Sequence, residues 1–340
     1  VDRADRIAAM LQLSSFQRLL AVVVAPALML AAASAGAGPR EIAAAVVEVR
    51  AEVPPEARTA DTLGRERTGS GVVIDSAGLV LTIGYLILEA TAVDLHDAAG
   101  KRIPAEIVGF DNDTGFGLVR ATERLDATPL PLGSSGAVQV GAPLLVLSRE
   151  GQLGGRETKL ASRREFAGYW EYLLPDALFT TPPHPDYAGA ALIDAQGRLV
   201  GIGSLLVGDA TAKDVESPGN MFVPVDALKP ILADLLALGR PDGPGHPWIG
   251  VTAQELGRHV IVRGVAEQGP AEGAGVRPGD VVLGVGATDV ASMAELYRAI
   301  WQLGGPGVPV TLRILRHSGA VELTVPSVDR RRWLRLNRTY

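Results

Sequence analysis

The apolar positions along the chain come mostly in short runs. Gly69-Ser70-Gly71-Val72-Val73-Ile74-Asp75 is followed by a turn at Ser76-Ala77-Gly78 and a second run, Leu79-Val80-Leu81-Thr82-Ile83. The spacing and the β-branched content predict a hairpin. Similar runs follow at Ala92–Leu95, Ile103–Val108, Phe116–Arg120, Leu144–Leu147, Leu178–Thr181, Ala191–Ile193 and Leu199–Gly203, each bounded by turn residues. Many short strands at such spacing predict an all-β sandwich or a pair of barrels. Glu41–Val49 reads as a short helix or an entering strand, and Arg58–Thr68 as a polar surface loop. The period changes at Val225. Val225, Leu228, Ile231, Leu232, Leu235 and Leu236 recur at three and four, which predicts an amphipathic helix ending before the Gly- and Pro-rich 239–245. Beyond it, Ser292–Leu303 reads as a helix with Met293, Leu296, Ile300 and Leu303 on one face. Val308–Ile314 and Ala320–Val325 read as a closing hairpin.

Composition sharpens this picture in few places. A chain of 340 residues exceeds one ordinary core, and 40 Gly with 23 Pro agree with frequent turns. The net charge of −6 gives no reason to expect nucleic-acid binding. Without cysteine there is no disulfide, no thiol catalysis and no Cys-based metal site. No cofactor or metal is expected. Leu19 to Gly38 is uncharged and contains Ala33-Ser34-Ala35, a small-x-small cleavage pattern. This predicts a signal peptide over 1–38, or alternatively a retained N-terminal membrane segment. Arg330-Arg331-Arg332-Trp333-Leu334-Arg335 reads as a solvated basic tail, with an anionic-lipid or partner contact as the alternative.

The hairpin at Gly69–Ile83 resembles the opening of the HtrA/Deg branch of trypsin-like serine proteases. In that branch the Thr of the second strand is followed by two residues and the catalytic His. Here Thr82-Ile83-Gly84-Tyr85 places Tyr85 there. The run Gly109-Phe110-Asp111-Asn112-Asp113-Thr114-Gly115-Phe116 is similar to the family's acid motif and places Gly115 at the Asp. Asp186-Tyr187-Ala188-Gly189-Ala190-Ala191-Leu192 is similar to the nucleophile motif and places Ala188 at the Ser. The triad needs an Oγ, an imidazole and a carboxylate. The resemblance therefore implies a pseudoprotease, with no catalytic residue and with Tyr85, Gly115 and Ala188 as degenerate triad positions. Asp186-Tyr187 in place of Gly-Asn also implies an altered oxyanion loop. His184, in Pro182-Pro183-His184-Pro185, is expected to be a surface-loop histidine, and Asp111 and Asp113 to be turn residues.

A second resemblance follows the linker. Trp248-Ile249-Gly250-Val251 looks like the carboxylate-binding loop of PDZ domains. The run from Gly269-Pro270-Ala271 through Ala274-Gly275-Val276 to Gly279-Asp280-Val281-Val282 is similar to their most recognisable stretch. Backbone N–H groups at such a loop make a nest for a terminal carboxylate, beside a strand edge that accepts a peptide, with a PDZ unit used only as an internal brace as the alternative.

Together the resemblances imply a mainly β fold, a double six-stranded barrel over 39–238 followed by an α+β PDZ domain over 247–328. A linker occupies 239–246, and a basic tail 329–340. The expected function is that of an inactive HtrA-like scaffold, adaptor or chaperone of the bacterial periplasm. The alternatives are a structural subunit of one envelope or membrane complex, and an atypical serine-type endopeptidase. Expected partners are protein or peptide C-termini, held by Trp248, Ile249, Gly250 and Val251. A homotrimer is implied by the family, a membrane-complex partner remains open, and no nucleic acid is expected.

Overall fold

A computed structural model describes residues 38–212 and 216–334. The signal or membrane segment falls outside them, save Gly38, as do residues 335–340 of the tail.

A short helix α1 (Pro39–Ala45) leads straight into β1 (Val46–Glu52), so both readings of this stretch hold in succession. Pro39 opens the helix, where a missing N–H costs nothing. The next strands are β2 (Glu66–Val73), β3 (Leu79–Ile83), β4 (Ala92–His96), β5 (Arg102–Phe110) and β6 (Phe116–Ala121). They close into a barrel in the order β1-β2-β3-β6-β5-β4. A second barrel repeats that order with β7 (Pro143–Glu150), β8 (Gln152–Gly168), β9 (Tyr172–Thr181), β10 (Ala191–Ile193), β11 (Leu199–Val207) and β12 (Gly219–Pro224). One apolar core runs through both, from Val47, Leu81 and Phe116 to Leu147, Phe179 and Ile202. Burial removes these side chains from water at roughly 25 cal/mol per Å². It is the main force closing the barrels.

Arg149 fastens the barrels together. Its Nε donates to Val46 O at 2.6 Å, its Nη2 to Ala43 O at 2.8 Å, and its amide to Ser70 Oγ at 2.9 Å.

After the barrels, the helix expected over 225–238 is broken. A 3₁₀ turn covers Val225–Ala227, and the α-helix is only Leu232–Leu238. Pro230 lacks the N–H that a continuous helix would use there. Leu236, expected on the buried face, is 44 % exposed.

The third unit is one antiparallel sheet of β13 (Val251–Leu256), β14 (His259–Val265), β15 (Val281–Val285), β17 (Pro309–Arg316) and β18 (Gly319–Pro326), with β16 (Thr288–Asp289) pairing β15. A helix, Met293–Trp301, is capped by Ser292, whose Oγ accepts the Glu295 amide at 3.1 Å. It packs Leu296, Tyr297 and Ile300 into the core, while Leu303 lies past its end and is 44 % exposed.

The described part of the basic tail is not a free end. Arg330–Trp333 forms a helical turn, and Arg331 donates to Phe110 O at 2.8 Å and Gly239 O at 3.2 Å. These carbonyls belong to the first barrel and to the end of the helix after the second, so the tail is docked between units.

Candidate functional site

Two places were singled out by sequence. The first is the cleft between the barrels. Tyr85 sits in the 3₁₀ turn Gly84–Leu86 directly after β3. The amide of Gly84 donates to Gly115 O at 2.6 Å, bringing the turn before β6 alongside. The amide of Ser70 donates to Ala188 O at 2.8 Å, holding the turn before β10 against β2. Tyr85 Oη reaches across to donate to Ser204 O of β11 at 2.9 Å. The three positions named by motif are therefore neighbours of one seam.

Close packing fixes that seam. Gly189 has φ +72°, and a Cβ there would lie 1.9 Å from Ser70 O, so only glycine fits. Thr82 Oγ1 donates to the same Ser70 carbonyl at 2.7 Å. Burial raises the pKa of the Tyr85 phenol far above its ordinary value, with Tyr187 and Glu150 adding to the shift. The Tyr85 side chain is thus a neutral donor here.

His184 corrects its expectation as a surface residue. It is 4 % exposed, its amide donates to Asn220 Oδ1 at 2.6 Å, and its carbonyl accepts from Asn220 Nδ2 at 3.1 Å. Its Nδ1 accepts the Asp186 amide at 3.1 Å. Burial lowers its pKa, so it stays neutral as a structural tie. Asp111 behaves as a turn residue, accepting the amides of Asp113 and Thr114 and the Thr114 hydroxyl.

The second place is the loop Trp248–Val251. Gly250 has φ +80°, which turns three successive amides toward one point. They are occupied. Ile249 N donates to Glu171 Oε2 at 3.1 Å, while Gly250 N and Val251 N donate to Glu171 Oε1 at 2.6 and 2.8 Å. Glu171 comes from the turn between β8 and β9, far away in sequence. Burial pushes its carboxyl up to about 7, against the pull of the Val251 and Ile249 amides, the Arg330 guanidinium and the Gly250 amide. Sequence reasoning missed Glu171. The signal available was Tyr169-Trp170-Glu171-Tyr172, three aromatics around an acid in a turn that separates two strands.

A trypsin-like peptidase domain model matches residues 69–202, and a PDZ domain model matches residues 247–326. Serine protease PepD of Mycobacterium tuberculosis is 30 % identical over 304 residues, covering 81 % of this chain and 64 % of PepD. Serine endoprotease DegS of Haemophilus influenzae is 26 % identical over 278 residues and 78 % of each chain. A solved structure, HtrA-type protease AlgW with tripeptide, superposes with a TM-score of 0.51 at 20 % identity, covering 85 % of this chain and 95 % of that one. At that identity the likeness speaks for the fold.

These findings overturn one expectation. The residues Tyr85, Gly115 and Ala188 led to a chain that is no enzyme, yet its relatives are named serine proteases and endoproteases. Nothing in the comparisons supports a lost triad, so the pseudoprotease reading is withdrawn. Two barrels of repeated topology, the following PDZ sheet and the matched relatives agree: the chain belongs to the HtrA-type family of trypsin-like serine proteases that carry a PDZ domain.

Proposed function

We propose that this chain is a peptide- and protein-binding member of the HtrA family acting in the bacterial envelope, and that its loop Trp248–Val251 takes the free C-termini of its targets. One observation carries the reading: the amides of Ile249, Gly250 and Val251 already converge on a single carboxylate. A terminal carboxylate presents the same two oxygens to such a nest. The edge of β13 beside it offers backbone groups to an incoming strand, and the helix Met293–Trp301 forms the far wall. The envelope location rests on relatives such as the "Probable periplasmic serine endoprotease DegP-like" of Hahella chejuensis, 22 % identical over 275 residues. No helix among the described residues is long and apolar enough to cross a membrane.

The test is a titration of the full chain with matched peptides ending in a free carboxylate or an amide. A single-module contact of this size gives affinity on the order of micromolar. Amidation removes the anion, at a cost of roughly 1.5–3 kcal/mol, or about ten-fold or more. Equal affinities for the two peptides would overturn the reading. Casein turnover by the same protein reads whether it shares the hydrolytic activity for which its relatives are named.

A further inference from the structure

The hairpin β8–β9 is much longer than its barrel needs. β8 has 17 residues, against 8 in β2, its counterpart in the first barrel. The extra length leaves the barrel and enters the PDZ unit. Leu173 is part of the PDZ core, and Ala167 packs against it. Tyr297 Oη, from the wall helix, donates to Gly168 O at 2.7 Å. Ala253 N, on β13, donates to Tyr169 O at 2.9 Å. Arg298 pairs with Glu165. At the tip, Glu171 fills the nest.

These contacts follow the plan of a bound peptide. A carboxylate lies on the three loop amides, the residue two positions earlier bonds the strand edge, and Gly168 and Glu165 at the end of β8 meet the wall helix. Tyr169 and Glu171 both lie in the turn that closes the hairpin, which sets the Tyr169 carbonyl against β13 and the Glu171 carboxylate against the loop just before it.

The backbone adds an independent sign. Glu171 has φ +55°, a left-handed conformation that disfavours side chains with a Cβ. A three-residue hairpin turn ordinarily places glycine at such a position. Glutamate there tolerates strain, and its carboxylate is buried, 6 % exposed, on three donors. The strained conformation aims the carboxylate at the loop.

We propose that the segment Glu165–Glu171 is an intramolecular ligand of the PDZ groove, mimicking a C-terminus and competing with external peptides for the loop Ile249–Val251. This inference rests on the reading of that loop as a C-terminus site and adds its regulation. Ligand and mimic cannot share three amides, so a peptide binds only after the arm leaves. The apparent affinity of the full chain is reduced by the fraction of molecules whose arm is undocked.

The test compares the full chain with Glu171→Gly and Glu171→Gln. Glycine removes the carboxylate and relieves the left-handed backbone, so the hairpin itself is eased. Glutamine keeps the shape and one acceptor but sets an NH2 donor against the Ile249 amide or against those of Gly250 and Val251. Each protein is titrated with a fluorescein-labelled peptide ending in a free valine carboxylate and with its amidated twin. Hydrogen exchange is read at the amides of Ile249, Gly250, Val251 and Ala253.

The proposal expects those amides to open in Glu171→Gly. It also expects the free-acid peptide to bind that variant at least about ten-fold more tightly than the parent, with a smaller gain for Glu171→Gln and none for the amidated twin. Equal affinity of parent and variants for the free acid would overturn the competition while leaving C-terminus binding intact. Amides that open without binding by any of the proteins would overturn both, and the arm would be a brace.

Discussion

The indole of Trp333 packs against that of Trp248 with ring centroids 4.5 Å apart, and the guanidinium of Arg58 lies 4.2 Å over the same Trp333 ring. A residue of the basic tail thus joins the loop before β2 to the carboxylate loop of the PDZ unit. Arg58 also donates to Glu267 O at 3.4 Å. Replacing Trp333 by alanine removes an aromatic contact and part of a buried face, a loss of about 2 kcal/mol. Urea unfolding of Trp333→Ala checks this, and an unchanged midpoint would contradict it.

Gly250→Ala tests the nest. The left-handed backbone costs a residue with a Cβ about 1–2 kcal/mol. That Cβ would also lie 3.1 Å from the Trp248 ring and 3.2 Å from Ala266 Cβ. The melting temperature of Gly250→Ala is expected to fall, and with it the affinity for free-acid peptides in the Glu171→Gly background. A variant as stable as its parent would show that the loop does not need this conformation.

Asp280 is 3 % exposed and accepts from Arg316 Nε at 2.6 Å and Nη2 at 2.7 Å, and from the Arg277 amide at 2.9 Å. Arg316 keeps some contact with water, so removing its partner is less costly than in a fully dry pair. Asp280→Ala is expected to lower stability by about 2 kcal/mol, measured by urea unfolding. Asp280→Asn, which keeps one acceptor, should lose less.

Acidity acts on Glu171 through burial. Its carboxyl rises from 4.5 to about 7 on docking, with Arg330 from the tail and Tyr297 from the wall helix facing it. The folded state therefore binds this proton more tightly than the unfolded chain. The stability it contributes is full below 4.5 and is lost as pH rises through about 7. Between pH 5 and 8 the parent's urea midpoint should fall more than that of Glu171→Gln. Parallel pH profiles would count against it.

Asp226 has the opposite sign. Burial works against its anion, but the hydrogen bonds from Lys229, the Gly136 amide and Ser135, with the charge of Lys229, hold its carboxyl at about 2, below the ordinary 3.8. Its stabilisation is present above 3.8 and is lost as pH falls toward 2. The gap in melting temperature between parent and Asp226→Asn should be open at pH 6 and close near pH 2. A gap of constant size would refute the assignment.

The strands of the barrels were readable because their apolar runs are short, β-branched and punctuated. Leu79–Ile83 and Ala191–Ile193 have the bounds their patterns give. β8 was not readable. Its sequence is charged, and the apolar partners of its outer half lie in the PDZ unit, so it shows no inward face of its own. The loop Trp248–Val251 carries a local motif, which is why the sequence alone singles it out. Its occupant Glu171 is defined only by folding, since an acid in a turn looks like any solvated acid. Arg330 and Arg331 misled for the same reason, because a basic run signals water until carbonyls such as Phe110 O and Gly239 O are seen to meet it.

The order of synthesis gives the long hairpin one more consequence. Leu173 and Ala167 leave the ribosome well before the PDZ core they pack against, and Trp333 is made later still. For that interval the finished barrels display an apolar arm with nothing against it, a sticky edge on a nascent chain. When β13 and the wall helix arrive, the arm is already a formed surface on which they can assemble. The last unit to be made then has a template, and the two halves should gain and lose their structure as one cooperative body.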